Sequence, residues 1–248
     1  MQAGVNSWPL MEIEKRGIIL TTSRGIHKIH MAEYAISMMV IDARQLDQIL
    51  LNKTKKLWKQ DYLKDGISGK KLGIIGLGSI GQEIAKKASL MGMEVYGIKR
   101  TVEVVPHVIE VYGNDKLDEI FRKSDYIINL LPHTKETDKI VDKKHMEMMK
   151  SSACLINMGR GGTTNEEDLY EALNKRVFIM CISDVFAVEP LPQISPLWNL
   201  DNTIITPHIC GPNIHNMDQA YEIIKQNILS YTNAKSKLVN VYSHKLGY

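Results

Sequence analysis

The chain has 248 residues, of which 44% are apolar and 24% charged, with a formal net charge of +3. That length can bury a substantial core, the charge is too small to argue for a nucleic-acid partner, and the most apolar helical run, "MAEYAISMMVI", is 11 residues long and contains Glu33, so it does not cross a membrane. Cys154, Cys181 and Cys210 lack CxxC spacing, and the first residues lack the basic-then-apolar pattern of a secretory leader; together these read as a cytoplasmic protein with reduced core thiols. In chain order, "GIILTT" (17–22) reads as a short strand. Ala32, Ile36, Met39, Ala43, Leu46 and Leu50 predict one helix over 31–51. Its first half is apolar nearly all round, which calls for cover on several sides, a second subunit among them. The basic "KTKK" at 53–56 reads as a solvated helix end. From residue 70, strands at "KLGIIGLG", "EVYGIK", "YIINLLP", "ACLINM", "VFIMCISDV" and "TIITPH" are separated by helices over 80–90, 115–123, 143–149 and 166–174. Strands this apolar between amphipathic helices imply an α/β fold, a doubly wound parallel sheet covered on both faces. Pro190, Pro192 and Pro196 mark an irregular loop. Ile214, Met217, Tyr221, Ile224, Ile228 and Tyr231 predict a final amphipathic helix over 214–231.

"GLGSIG" sets Gly76, Gly78 and Gly81 in G-x-G-x-x-G spacing between an apolar strand and a helix, the context that a Rossmann-type dinucleotide turn requires. Gly76 allows the tight turn, Gly78 lets a pyrophosphate approach the backbone, and Gly81 lets helix and strand pack closely. The phosphates are expected at the helix N-terminus, over Ser79 and Ile80, where unpaired N–H groups and the dipole favour anions. The next strand ends at Ile98, and Lys99 lies 23 residues after Gly76. An acidic residue at about that distance would bond a ribose 2′-hydroxyl, whereas cations accommodate a 2′-phosphate. Lys99 and Arg100 therefore predict NADP(H) over NAD, with NAD as the weaker option.

Three later stretches carry the groups needed to reduce a 2-keto acid: "INMGRGGTTNEEDL" (156–169), "SDVFAVEPLP" (183–192) and "TPHICG" (206–211). Arg160, just past a strand, can clamp a carboxylate bidentately and polarise the neighbouring carbonyl. His208, past another strand, can donate the proton. Glu189 can hydrogen-bond the other ring nitrogen, and an anion there favours the imidazolium. Singly, Arg160 reads equally well as a capping residue, Glu189 as a surface turn and His208 as a loop histidine. The histidines show no metal-ligand spacing with each other or with cysteine, so no metal is assigned.

With the glycine turn, these motifs in this order closely resemble the D-isomer-specific 2-hydroxyacid dehydrogenases, from about Gly4 to the closing "LVNVYSHKLGY". The cations after the second cofactor strand are most similar to the glyoxylate/hydroxypyruvate reductase and phosphoglycerate-dehydrogenase-like branches. The resemblance implies that Arg160, Glu189 and His208 are the catalytic set and that Asp184 orients the nicotinamide amide. It also places Leu131, Pro132, Thr137, Met158, Gly159 and Gly211 on the cofactor, and the backbone of Gly4 and Val5 near the substrate carboxylate. It implies a homodimer, a small 2-keto or 2-hydroxy acid as substrate, and no nucleic-acid or membrane partner. Full-length members carry a substrate lobe ahead of "AGVN", on the order of 60 residues or more. The expected organisation is thus a remnant of that lobe at 1–28, a dinucleotide-binding and dimerisation domain at 29–209, and a return helix and tail at 210–248. On this expectation the chain binds NADPH and turns over slowly or not at all. The same fold also serves a phosphoglycerate-dehydrogenase-like enzyme, a dinucleotide-sensing corepressor or a silent nucleotide-binding dimer, and the site residues do not separate these.

Overall fold

Strands β1 (Lys71–Ile75), β2 (Glu94–Ile98), β3 (Glu110–Tyr112), β4 (Tyr126–Asn129), β5 (Cys154–Asn157), β6 (Met180–Ser183) and β7 (Thr203–Ile205) form one sheet in the order β3-β2-β1-β4-β5-β6-β7. Every pairing is parallel. The helices are α1 (Leu10–Lys15), α2 (Lys28–Arg44), α3 (Leu46–Thr54), α4 (Ser79–Leu90), α5 (Leu117–Lys123), α6 (Lys143–Glu147), α7 (Glu166–Asn174) and α8 (Asn216–Asn233). The computed structural model describes residues 5, 8–61, 65–233 and 237–243. It divides into one compact unit of residues 31–210, which holds the sheet, and a second built from the segments on either side.

The sheet unit is the expected α/β architecture. Ile74, Ile128, Ile156, Ile182 and Ile204 lie in register across five strands and share one core. That core is closed by Ile84, Ala85 and Ala88 of α4 and by Ala32, Ala35 and Met39 of α2. One residue along each strand, the side chains point to the other face. There Ile75, Ile127, Leu155 and Cys181 pack on Ile120 and Phe121 of α5, Met146 of α6 and Leu169 of α7. Both faces are covered, so the strands can be apolar throughout. All three cysteines are buried, and none forms a disulfide. The last row of the sheet departs from this pattern: between Ile75 and Ile205 it reads Asn129, Asn157 and Ser183.

The predicted 31–51 helix is two helices. Gln45 adopts φ 51°, and the Ala43 carbonyl, which a continuing helix would bond itself, accepts the Asp65 amide at 3.1 Å instead. Past this break the stripe is lost: α3 buries no side chain, and Leu50, Leu51, Leu57 and Trp58 are exposed. β3 and α1 went unread because three and six residues are too few to establish a period.

In the flanking unit, "GIILTT" is not a strand. It makes a single antiparallel bridge, Thr21 to Val241, flanked by Thr22 N–H to Asn240 O at 2.9 Å and Tyr242 N–H to Leu20 O at 2.8 Å. Helix α8 forms close to the predicted place, but its apolar stripe is outward: Ile214, Met217, Tyr221, Ile228 and Tyr231 are exposed, while Ala220, Asn227 and Ser230 are buried. An exposed apolar stripe is what a final helix left partly uncovered by an absent lobe would show; on its buried face the Asn227 side chain pairs both ways with the Val239 backbone, donating at 3.1 Å and accepting at 2.8 Å.

Candidate active site

Every site residue expected within residues 31–210 follows the C-terminal end of a strand or lies on the loop or helix that begins there: Gly76 after β1, Lys99 after β2, Leu131 after β4, Arg160 after β5, Asp184 after β6 and His208 after β7. The strand order reverses between β1 and β4, and such switch points hold the ligand crevice in open α/β sheets. At the switch point, the Gly76 and Leu77 amides both bond the Ile98 carbonyl, at 3.2 and 3.0 Å, so the turn folds back over β2. Gly76 has φ +109°, a conformation L side chains rarely adopt. A Cβ at Gly81 would collide with the Gly76 carbonyl, whereas one at Gly78 would meet open space. No side chain caps α4 at its Gly78 N-cap and no acidic residue stands in its first turn, so its first-turn amides lack a capping side chain. Lys99 and Arg100 lie past the end of β2. Lys99 pairs with Glu103, and Arg100 lies 3.9 Å from Glu136.

The loops after β4 and β5 are tied together below the surface. Asn129 accepts the Leu131 amide at 3.1 Å and donates to the Thr163 hydroxyl at 2.7 Å; Thr163 in turn donates to the Arg160 carbonyl at 2.6 Å. Asn157 accepts the Gly159 amide at 3.4 Å and donates to Thr164 at 3.2 Å. Met158 is buried, with its amide on the Asn129 carbonyl. The Arg160 guanidinium bonds the Gly159 carbonyl at 2.8 Å, and Thr137 closes its turn on the Pro132 carbonyl at 2.6 Å.

On the neighbouring loops, His208 Nδ1 lies 2.7 Å from Glu189 Oε2, while Glu189 Oε1 accepts the Phe186 amide at 2.9 Å. The carboxylate thus has one oxygen on its own turn and one on the imidazole. With Nδ1 engaged, Nε2 is the ring position left for chemistry, and the ring is about half exposed. Asp184 is only 1% exposed and is enclosed by its own chain. It accepts the Thr206 hydroxyl at 2.5 Å and the amides of Ile209 and Cys210 at 2.9 and 3.0 Å. Burial, and then the Asp184 carboxylate, push the Cys210 thiol well above the usual cysteine range; the charge of nearby Arg160 works against them.

Two expected residues are in the other unit: Gly211 and Val5 lie in the flanking unit, where the Gly211 carbonyl is 2.9 Å from His27 Nδ1 and Val5 is buried. Gly4 lies outside the described residues. Among the described residues no group of histidines, cysteines and carboxylates has the arrangement of a metal site, and no helix is long and apolar enough to cross a membrane. Sequence reasoning missed Asn129, Asn157, Thr163 and Thr206. A signal existed for the first two, since "YIIN" and "CLIN" each end an apolar run on an amide that must find partners once buried.

The NAD-binding domain of the D-isomer specific 2-hydroxyacid dehydrogenases matches residues 36–210. A glyoxylate/hydroxypyruvate reductase A from Photorhabdus laumondii is 32% identical over the whole of this chain and 74% of its own length. A D-3-phosphoglycerate dehydrogenase from Methanocaldococcus jannaschii is 34% identical over 83% of this chain, which spans only 39% of that enzyme. Among solved structures, an NADPH-dependent glyoxylate/hydroxypyruvate reductase from Sinorhizobium meliloti, in complex with NADP and sulfate, superposes with a TM-score of 0.89 at 26% identity, covering all of this chain and 78% of its own. The glycine turn at the switch point, the arginine, glutamate and histidine on successive loops, and this extent of similarity lead to one conclusion: the chain belongs to the D-isomer specific 2-hydroxyacid dehydrogenase family.

Proposed function

We propose that this chain supplies the dinucleotide and proton-transfer machinery of an NADPH-dependent reductase of small 2-keto acids of the glyoxylate or hydroxypyruvate type. One observation carries the proposal: the Glu189–His208 pair and Arg160 sit on loops at the same sheet edge as an uncapped glycine turn followed by two cations. The site fits a dinucleotide, because the space at Gly78 and the uncapped α4 amides suit a pyrophosphate. In this assignment Gly76, Gly78, Ser79, Ile80 and Gly81 hold the pyrophosphate and Lys99 and Arg100 the 2′-phosphate. Leu131, Pro132, Thr137, Met158, Gly159 and Asp184 border the nicotinamide half.

When bound, the cofactor supplies a hydride to the keto carbon. The protein's own part is positional and protic. Arg160 binds the substrate carboxylate and polarises the carbonyl. His208 donates the Nε2 proton to the carbonyl oxygen as charge develops there, and Glu189 fixes the ring orientation and stabilises the imidazolium. Residues 31–210 act as the cofactor domain and the flanking unit as part of a substrate lobe. The protein works as a homodimer through α2, α3 and the exposed Leu50, Leu51, Leu57 and Trp58. The buried, unoxidised thiols suit a cytoplasmic setting.

The test is NADPH binding by this chain, followed by NADPH oxidation on addition of glyoxylate or hydroxypyruvate, with 3-phosphoglycerate and NAD in the reverse direction as the arm for a phosphoglycerate-type enzyme. Binding is expected, and any keto-acid turnover should fall roughly 10²–10⁴-fold in His208→Ala. Failure to bind a dinucleotide would overturn the assignment.

A further inference from the structure

The His208 loop is held by a hydrogen-bond chain that begins on a distant helix. Tyr34, on α2, places its hydroxyl 2.6 Å from the Thr206 hydroxyl, and Thr206 lies 2.5 Å from Asp184 Oδ1. The direction of the chain follows from valence. An ionised carboxylate only accepts, so the single Thr206 proton goes to Asp184 and Tyr34 must donate to Thr206. Burial pushes the Tyr34 hydroxyl well above the usual tyrosine range, which keeps that donor protonated. Asp184 then grips the loop again beyond His208, through the amides of Ile209 and Cys210. Between these grips His208 has φ +55°, a left-handed backbone that a non-glycine residue holds only where its surroundings impose it.

We propose that Tyr34 is a positioning residue for His208, acting through Thr206 and Asp184. Without the tyrosine hydroxyl, Thr206 loses the donor that fixes its lone pairs and its rotamer. The grip before His208 then loosens while the one after it remains. The loop can relax its left-handed residue, and the ring swings away from Glu189. This inference rests on the reading of His208 as the proton donor, but its structural core can be measured without turnover.

The experiment uses this chain labelled with ¹⁵N-histidine, with the His208 ring signals assigned by their loss in His208→Gln. Tyr34→Phe keeps the ring and removes one oxygen; Thr206→Val keeps the shape and removes the relay; Thr206→Ser keeps the hydroxyl. In the parent chain and in Thr206→Ser, the His208 Nδ1 signal should show one hydrogen-bonded environment. In Tyr34→Phe and Thr206→Val it should shift and broaden, while the other histidines and the melting temperature stay in place. If keto-acid turnover is present, kcat should fall about tenfold in those two variants with the KM for NADPH unchanged. An unaltered His208 signal in Tyr34→Phe would overturn the proposal, as would equal changes at every histidine or no rescue by Thr206→Ser. Failure of this chain to bind NADPH in the presence of the expected ring signals would instead count against the proposed function alone.

Discussion

Replacing Lys99 and Arg100 tests the cofactor assignment, and the structure sets the size of the effect. Before any ligand arrives, Lys99 is paired with Glu103 and Arg100 lies 3.9 Å from Glu136, and both glutamates are more exposed than their partners. A 2′-phosphate must therefore displace or share these carboxylates. Exposed ion pairs of this kind are worth about 0–1 kcal/mol each. A charge-assisted hydrogen bond to a phosphate contributes about 1.5–3 kcal/mol. One such bond, less the pair it disturbs, leaves a net preference of roughly 0.5–3 kcal/mol for NADPH over NADH, a ratio of dissociation constants of about 2- to 150-fold, and a second bond would widen it. Lys99→Asp with Arg100→Ser should erase or invert that ratio. The pairing adds a second expectation of opposite sign: Glu103→Gln and Glu136→Gln should tighten NADPH binding several-fold and leave NADH nearly unchanged. Titration of each variant by NAD(P)H fluorescence at two salt concentrations checks both, because the preference should shrink as salt screens it. Equal dissociation constants for the two cofactors in the parent chain would refute the reasoning.

Gly81→Val puts a side chain where the Gly76 carbonyl lies, and should weaken NADPH at least about tenfold while NADH weakens equally, since the pyrophosphate is common to both; calorimetric titration decides. Leu50→Glu with Trp58→Glu places charge on the exposed arm, and sedimentation should change from a dimer in the parent chain to a monomer in the variant. Asp125 joins the starts of three strands, accepting Lys150 at 2.8 Å and the Lys71 amide at 2.8 Å while its carbonyl takes the Cys154 amide. Burial pushes its carboxyl up, but those bonds and the lysine charges outweigh it, so the folded-state pKa lies below the usual aspartate value. Its stabilisation is then present above the ordinary aspartate range and lost as pH falls through the lowered value. Asp125→Asn should cost about 1 kcal/mol at neutral pH, and the gap in melting temperature should close in acid.

The sheet was legible because its strands are apolar on both faces, and the glycine turn was legible because its spacing and flanks are local. Arg160, Glu189 and His208 were singled out from short stretches in the order that resembles the family, and the structure pairs the last two. What stayed hidden depends on distance along the chain. Nothing in "ARQLDQ" announces the break at Gln45; it follows from an amide 22 residues on taking the Ala43 carbonyl. The Tyr34–Thr206 bond spans 172 residues, and a tyrosine in a helical apolar run reads as core. The periodicity of α8 marked its apolar stripe, and that stripe lies exposed, as a helix left partly uncovered by an absent lobe would have it; what the pattern did not give is the face that is buried instead. Asn227, a polar residue that the pattern assigns to the solvent side, turns out to anchor the tail.

The polar row ending β4, β5 and β6 explains how a rigid apolar sheet can aim side chains. Apolar packing is not directional: it fixes where a strand lies but not how the loop leaving it turns. At this edge the direction is set by hydrogen bonds. Asn129 and Asn157 fix the Gly159–Thr164 turn that carries Arg160, Asp184 fixes the Thr206–Cys210 segment that carries His208, and Glu189 ties His208 to the Phe186 turn. The arrangement has a cost. Asn129, Asn157 and Asp184 are buried polar groups whose partners would be left unsatisfied by their loss, a penalty of about 1–3 kcal/mol apiece, whereas Glu189 is exposed. Polar anchors in the last row of the sheet, and isoleucine in the row before it, divide the work: the apolar row holds the strands together and the polar row sets how the loops carrying Arg160 and His208 leave them.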